Sequence, residues 1–130
     1  MDYTEQARQF FAADIFATET TGIFIEEARD DYARCSLKID ERHLNAAGVV
    51  MGGAVFTLAD FTFAVASNSG QARTVSMTSN INYLCPAHGP ALTAEANCVK
   101  SGKRTCTYII DIFDADGTRC AFVTTLGHRI

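Results

Sequence analysis

The sequence has no tryptophan, only two prolines and three histidines in 130 residues. No apolar run approaches the roughly 18 residues that a membrane-spanning helix needs. Lysine and arginine total 11 against 15 acidic residues, giving a net charge of −4. A chain short of clustered cations cannot displace counterions from a nucleic acid or hold an anionic lipid surface, so neither partner is expected. An anionic small ligand would need a local basic spot. The five cysteines, at 35, 85, 98, 106 and 120, form no CxxC pair and no zinc spacing with histidine. An odd, scattered set of this kind predicts reduced, mostly buried thiols, with neither a disulfide framework nor a metal site. The opening Met1-Asp2-Tyr3-Thr4-Glu5 lacks the basic and apolar regions of a secretory signal, and a cytoplasmic protein is the expectation.

What is present is a globular composition, 48% apolar and 20% charged, in a length that suits one domain over residues 1–130. Apolar residues at 7, 10, 11 and 15 predict a helix over residues 4–17, with Thr4 as its cap. From Gly22 the period changes to two, and a pair of strands joined near Arg29-Asp30-Asp31 is expected. Residues 51–68 run without proline between Gly52-Gly53 and Ser69-Gly70, which predicts one long helix. Beyond Gly70, alternation over residues 75–83 and β-rich stretches at 92–100, 105–113 and 120–126, separated by short turns, predict antiparallel strands. Because the long helix is apolar almost all round, it should be buried on several sides by a sheet that curls around it.

Asp60 departs from that pattern as the only ionisable residue between Met51 and Gly70. Burying an unpaired carboxylate costs several kcal/mol unless its pKa rises or a partner is found, and such an acid in an apolar cleft can act as a base or nucleophile. Gly52 and Gly53 lower the propensity of the first helical turn. They also allow a ligand to approach the free N–H groups and the positive end of the dipole, where an oxyanion would be stabilised. Asn45, in the small-residue loop ahead of them, adds a polar donor. Eight residues at 1.5 Å each put Gly52 and Asp60 about 12 Å apart along the axis, too far for one carbonyl to meet both. If the two act together they come from two chains, with helices antiparallel across a two-fold axis.

The stretch from Leu44 to Asp60, with Asn45, Met51-Gly52-Gly53 and Leu58-Ala59-Asp60, resembles the signature of hotdog-fold acyl-CoA thioesterases of the phenylacetate-degradation (PaaI-like) type. Residues 76–87 are similar to the strand after the helix in that family, and Lys100-Ser101-Gly102-Lys103 to its later hairpin. The resemblance implies an α+β hotdog fold, a curved antiparallel sheet wrapped around one central helix. It also implies dimers that pair into tetramers, and hydrolysis of an acyl-CoA thioester without a cofactor, CoA being part of the substrate. Carried over by position, Asp60 is the general base or nucleophile, Gly52 and Gly53 the oxyanion site, Asn45 a positioning residue and Ser76 an assisting serine. Met51 stands where the family has histidine, and it cannot donate a hydrogen bond to the thioester oxygen.

Lys100, Lys103, Arg104, His128 and Arg129 are the candidates for the local basic spot that would meet CoA phosphates. Two other classes compete with the hydrolase. One is a non-catalytic acyl-CoA binder. The other is a hotdog hydratase or dehydratase, which the absence of histidine from residues 51–70 disfavours.

Overall fold

The computed structural model describes residues 1–130. One long helix, α2 (Gly52–Asn68), lies across a six-stranded antiparallel sheet built from β1 (Ile23–Arg29), β2 (Tyr32–Lys38), β3 (Thr74–Tyr83), β4 (Ala91–Ser101), β5 (Thr105–Phe113) and β6 (Arg119–Arg129). The order across the sheet is β1-β2-β4-β5-β6-β3, so β1 and β3 are the free edges. The α+β hotdog architecture expected from the sequence is the one observed. Alternation along the inner strands explains why: Ala33, Cys35 and Leu37 of β2, Leu92, Ala94 and Ala96 of β4, and Cys106, Tyr108, Ile110 and Ile112 of β5 are all buried on one face. The alanines of β2 and β4 let α2 approach closely, while Tyr108 meets Phe63 edge to face at 5.4 Å.

The N-terminal expectation is corrected. The helix predicted over 4–17 breaks in two: α1 (Thr4–Phe11) and a π-helical turn over Phe16–Thr21. Only Ala7 and Phe11 of the expected stripe are buried, with Phe10 66% and Ile15 52% exposed. The bend lets Phe11 stack on Phe61 at 5.5 Å while Ala17 also reaches the core, which a straight helix could not do for both. Thr4 is not a cap. Its hydroxyl donates to Asp2 at 2.6 Å and accepts the Ala28 N–H at 3.1 Å, tying the N-terminus to β1.

As expected, α2 is buried on several sides: it packs on the sheet and against the π-helical turn, while Gly53 and Asp60 are exposed and Phe56, Thr57 and Ala64 half-buried. These positions form one strip, and it stays open. The last strand is also longer than expected, running to Arg129, and Gly70 ends the helical region with φ +70°, a conformation that favours glycine. All five cysteines are free thiols, and burial pushes Cys35 up to about 12.

Candidate active site

The open strip of α2 forms one wall of a groove of about 440 Å³ whose other wall is the connector and π-helical turn ahead of β1. Asp60 stands in it among Phe56, Phe61, Ala64, Ile15 and Phe16. The carboxyl is accessible from one side, yet the apolar walls displace much of its water. Burial, followed by the nearby charge of Asp14, therefore raises its pKa above the ordinary aspartate value. No hydrogen bond or ion pair compensates the charge. Asp14 was not legible as a site residue, because the expected helix over 4–17 placed it within a continuous run.

At the other end of the strip, Met51 is extended and caps α2 without a side-chain bond, so the Gly52 and Gly53 N–H groups are left without acceptors. Tyr83, at the end of β3, donates its hydroxyl to the Gly52 carbonyl at 2.9 Å. A Cβ on Gly52 would lie 2.9 Å from that hydroxyl oxygen. A side chain at position 52 would therefore push the exposed Tyr83 ring aside. A second pocket of about 360 Å³ opens here, lined by Val49, Val50, Val55, Leu84 and Cys120 among others.

The Asn45 side-chain oxygen accepts the N–H groups of Ala47 and Val49 at 2.9 and 3.0 Å. Its first task is to hold the loop before α2, and its amide nitrogen is the group left over. Ser76 lies on the exposed edge strand β3 and lines neither the Asp60 groove nor the Gly52 pocket. His43 is buried; its Nδ1 accepts the Asp40 N–H, so Nε2 carries the proton and donates to the Thr21 carbonyl at 2.7 Å. It is a structural histidine.

Lys100, Lys103 and Arg104 are exposed around the β4–β5 turn and have no carboxylate within ion-pairing distance. Arg129 departs from the expected phosphate role. It is buried at 9% exposure, and its guanidinium donates to the Ser67 carbonyl, the Thr74 hydroxyl and the Ser101 hydroxyl at 3.0, 2.7 and 2.7 Å. It joins the end of α2 to β3 and β4 and is not a rim cation. No three His, Cys, Asp or Glu side chains converge as a metal site would require, and no helix is long and apolar enough to cross a membrane.

A long helix laid on a curved six-stranded antiparallel sheet defines a hotdog domain. The Thioesterase superfamily profile matches residues 47–121, and the chain belongs to that superfamily. Within it the chain is PaaI-like. It is 33% identical over 84% of its length to acyl-coenzyme A thioesterase PaaI of Escherichia coli, covering 79% of that protein. The solved structure of E. coli PaaI superposes with a TM-score of 0.87, covering 98% of this chain and 95% of that one at 29% identity. A putative esterase of Archaeoglobus fulgidus is 39% identical, with 82% of this chain and 70% of that protein covered. A hypothetical thioesterase protein of Streptococcus pneumoniae, solved with coenzyme A, superposes with a TM-score of 0.85 at 27% identity over 95% and 96% of the two chains.

Proposed function

We propose that the protein hydrolyses an acyl-CoA thioester to free acid and CoA at sites shared between subunits. The observation that carries this reading is the uncompensated Asp60 carboxylate in its apolar groove, on the same helix as the two free amides of Gly52 and Gly53. Their separation of about 12 Å along the axis calls for two α2 helices, antiparallel across a two-fold axis. Asp60 of one subunit then takes a proton from the attacking water, or attacks the carbonyl carbon to give an anhydride that water cleaves; the amides at the other subunit's Gly52 and Gly53 receive the developing oxyanion, whose collapse breaks the C–S bond and expels the CoA thiolate. Asn45 holds the loop that presents those amides and offers its free amide nitrogen to the carbonyl. Ser76 joins the site from the subunit-facing edge strand.

The free β3 edge supports the dimer, since most of the strand is exposed, including Val75, Met77 and Tyr83. Two dimers pair into a tetramer. Arg129 N–H bonds the Arg104 carbonyl, which fixes the basic turn of Lys100, Lys103 and Arg104 at the C-terminal end of α2. Antiparallel pairing brings that turn toward the partner's Gly52, where it meets CoA phosphates. No cofactor enters the chemistry, and the free thiols suit the reducing cytoplasm.

Thiol release from short, medium and aromatic acyl-CoAs, with wild type and Asp60→Asn, tests the reading. A loss of about 10²- to 10⁴-fold in the variant is expected. Binding without release that the substitution leaves unchanged would favour a non-catalytic binder, and hydration of an unsaturated acyl-CoA without thiol release a hydratase. Mixing inactive Asp60→Ala with inactive Gly52→Pro subunits should restore turnover in hybrid dimers; verified hybrids that stay inactive would refute shared sites.

A further inference from the structure

The groove that holds Asp60 contains a second acid. Asp14, in the connector between α1 and the π-helical turn, lines it with Ile15, Phe16, Phe56 and Phe61, and no Lys, Arg or His is among the lining residues. The Asp14 carbonyl is engaged by the Thr18 N–H at 2.9 Å and the Thr18 hydroxyl at 3.0 Å, but its carboxylate has no hydrogen bond or ion pair. Two acids with no cation among the lining residues give the groove a single sign of charge, partly screened by the solvent that reaches both. Asp14 is also the second cause, after burial, of the upward shift at Asp60, so its field reaches the reacting centre.

Resting on the thioesterase reading above, we propose that this groove receives the acyl chain and that Asp14 sets its charge selectivity, admitting uncharged chains and refusing chains that end in a carboxylate. A terminal carboxylate entering the groove would lose hydration to Phe16, Phe56 and Phe61, meet a like charge at Asp14, and find no counter-ion. An uncharged chain of equal length meets only the apolar walls. The selection is therefore made by repulsion of the wrong substrate. The same field favours departure of the acid product, which becomes a carboxylate as it forms.

The test compares hexanoyl-CoA with adipoyl-CoA, whose acyl chains are of equal length and differ in the terminal carboxylate. Wild type, Asp14→Asn and Asp14→Lys are assayed for kcat/KM on each. Wild type is expected to favour hexanoyl-CoA by about tenfold or more, and Asp14→Asn to cut that preference about threefold or more through a lower KM for adipoyl-CoA. Asp14→Lys should cut it further, the readout being the ratio of the two kcat/KM values within each variant. A preference unchanged in both variants, or a parallel fall on both substrates, would overturn the assignment. Equilibrium binding of the uncleavable thioether analogues of the same two compounds separates this result from the reaction itself. If Asp60→Asn kept full turnover, the hydrolytic role of Asp60 would fall, while the ratio of analogue affinities would still decide the role of Asp14.

Discussion

A carboxylate whose pKa is raised in the folded state binds its proton more tightly there than in the unfolded chain. For Asp60 this adds stability at low pH. The advantage is lost as pH rises from the ordinary value of 3.8 through the raised one, leaving an ionised, poorly solvated group at neutral pH. Asp60→Asn should therefore melt higher than wild type at neutral pH and equal to it below pH 3.8, by a small margin because one side of the carboxyl meets water. Thermal denaturation at both pH values checks this, and the same variant should have lost turnover. Arg129 is the opposite kind of residue. Arg129→Ala removes three charge-assisted hydrogen bonds and leaves the Ser67 carbonyl with only the Thr74 hydroxyl at 3.2 Å, at a cost of about 3 kcal/mol. Lys103→Ala and Arg104→Ala should instead raise KM at little cost in stability, as steady-state kinetics and denaturant titration would show. Asp60 was legible in the sequence as one acid in an apolar helix. The burial of Arg129 was not, since a terminal arginine beside a basic turn reads as surface charge until the end of α2 is placed against it.

At the scale of elements, α2 and the four strands after it follow from periodicity, and their bounds moved little except at the end of β6. The N-terminal segment did not, because its apolar spacing fits a helix that the core cannot accommodate: Phe11 and Ala17 both have to reach it, and the chain bends between them. The fit of α2 against the sheet is equally tertiary. Gly127 on β6 leaves room for Phe63, and a Cβ there would lie 2.8 Å from the Cys106 sulfur and 2.9 Å from the Phe63 ring. Gly127→Ala should destabilise the protein by about 1–3 kcal/mol through overpacking, read as a lower denaturation midpoint with unchanged slope. Nothing in the alternating pattern of β6 marks that glycine, because the atoms it makes room for come from α2, β3 and β5.

For the whole molecule, the sheet has two free edges of different character. β1 is short, and Arg8 covers its Phe24 at 4.6 Å, whereas β3 is ten residues long and exposes Val75 at 46% and Met77 at 56%. A long edge with unpaired backbone groups and exposed Val75 and Met77 is where the proposed dimer would pair. Val75→Lys combined with Met77→Glu should leave the folded subunit within about 0.5 kcal/mol of wild type, since both side chains are exposed in it. If the proposed dimer pairs along β3, sedimentation should then report monomers and turnover should fall.

The sequence by itself determined the order of elements, the central helix, and the isolation of Asp60 from other charges. These depend on local periodicity and on which residue types stand side by side. Only the tertiary structure decided which strip of α2 stays open, which acid faces Asp60 across the groove, and which cations are surface and which are buried. Those outcomes depend on segments far apart in the chain meeting in space: the connector at Asp14 against the helix at Asp60, and Arg129 against Ser67.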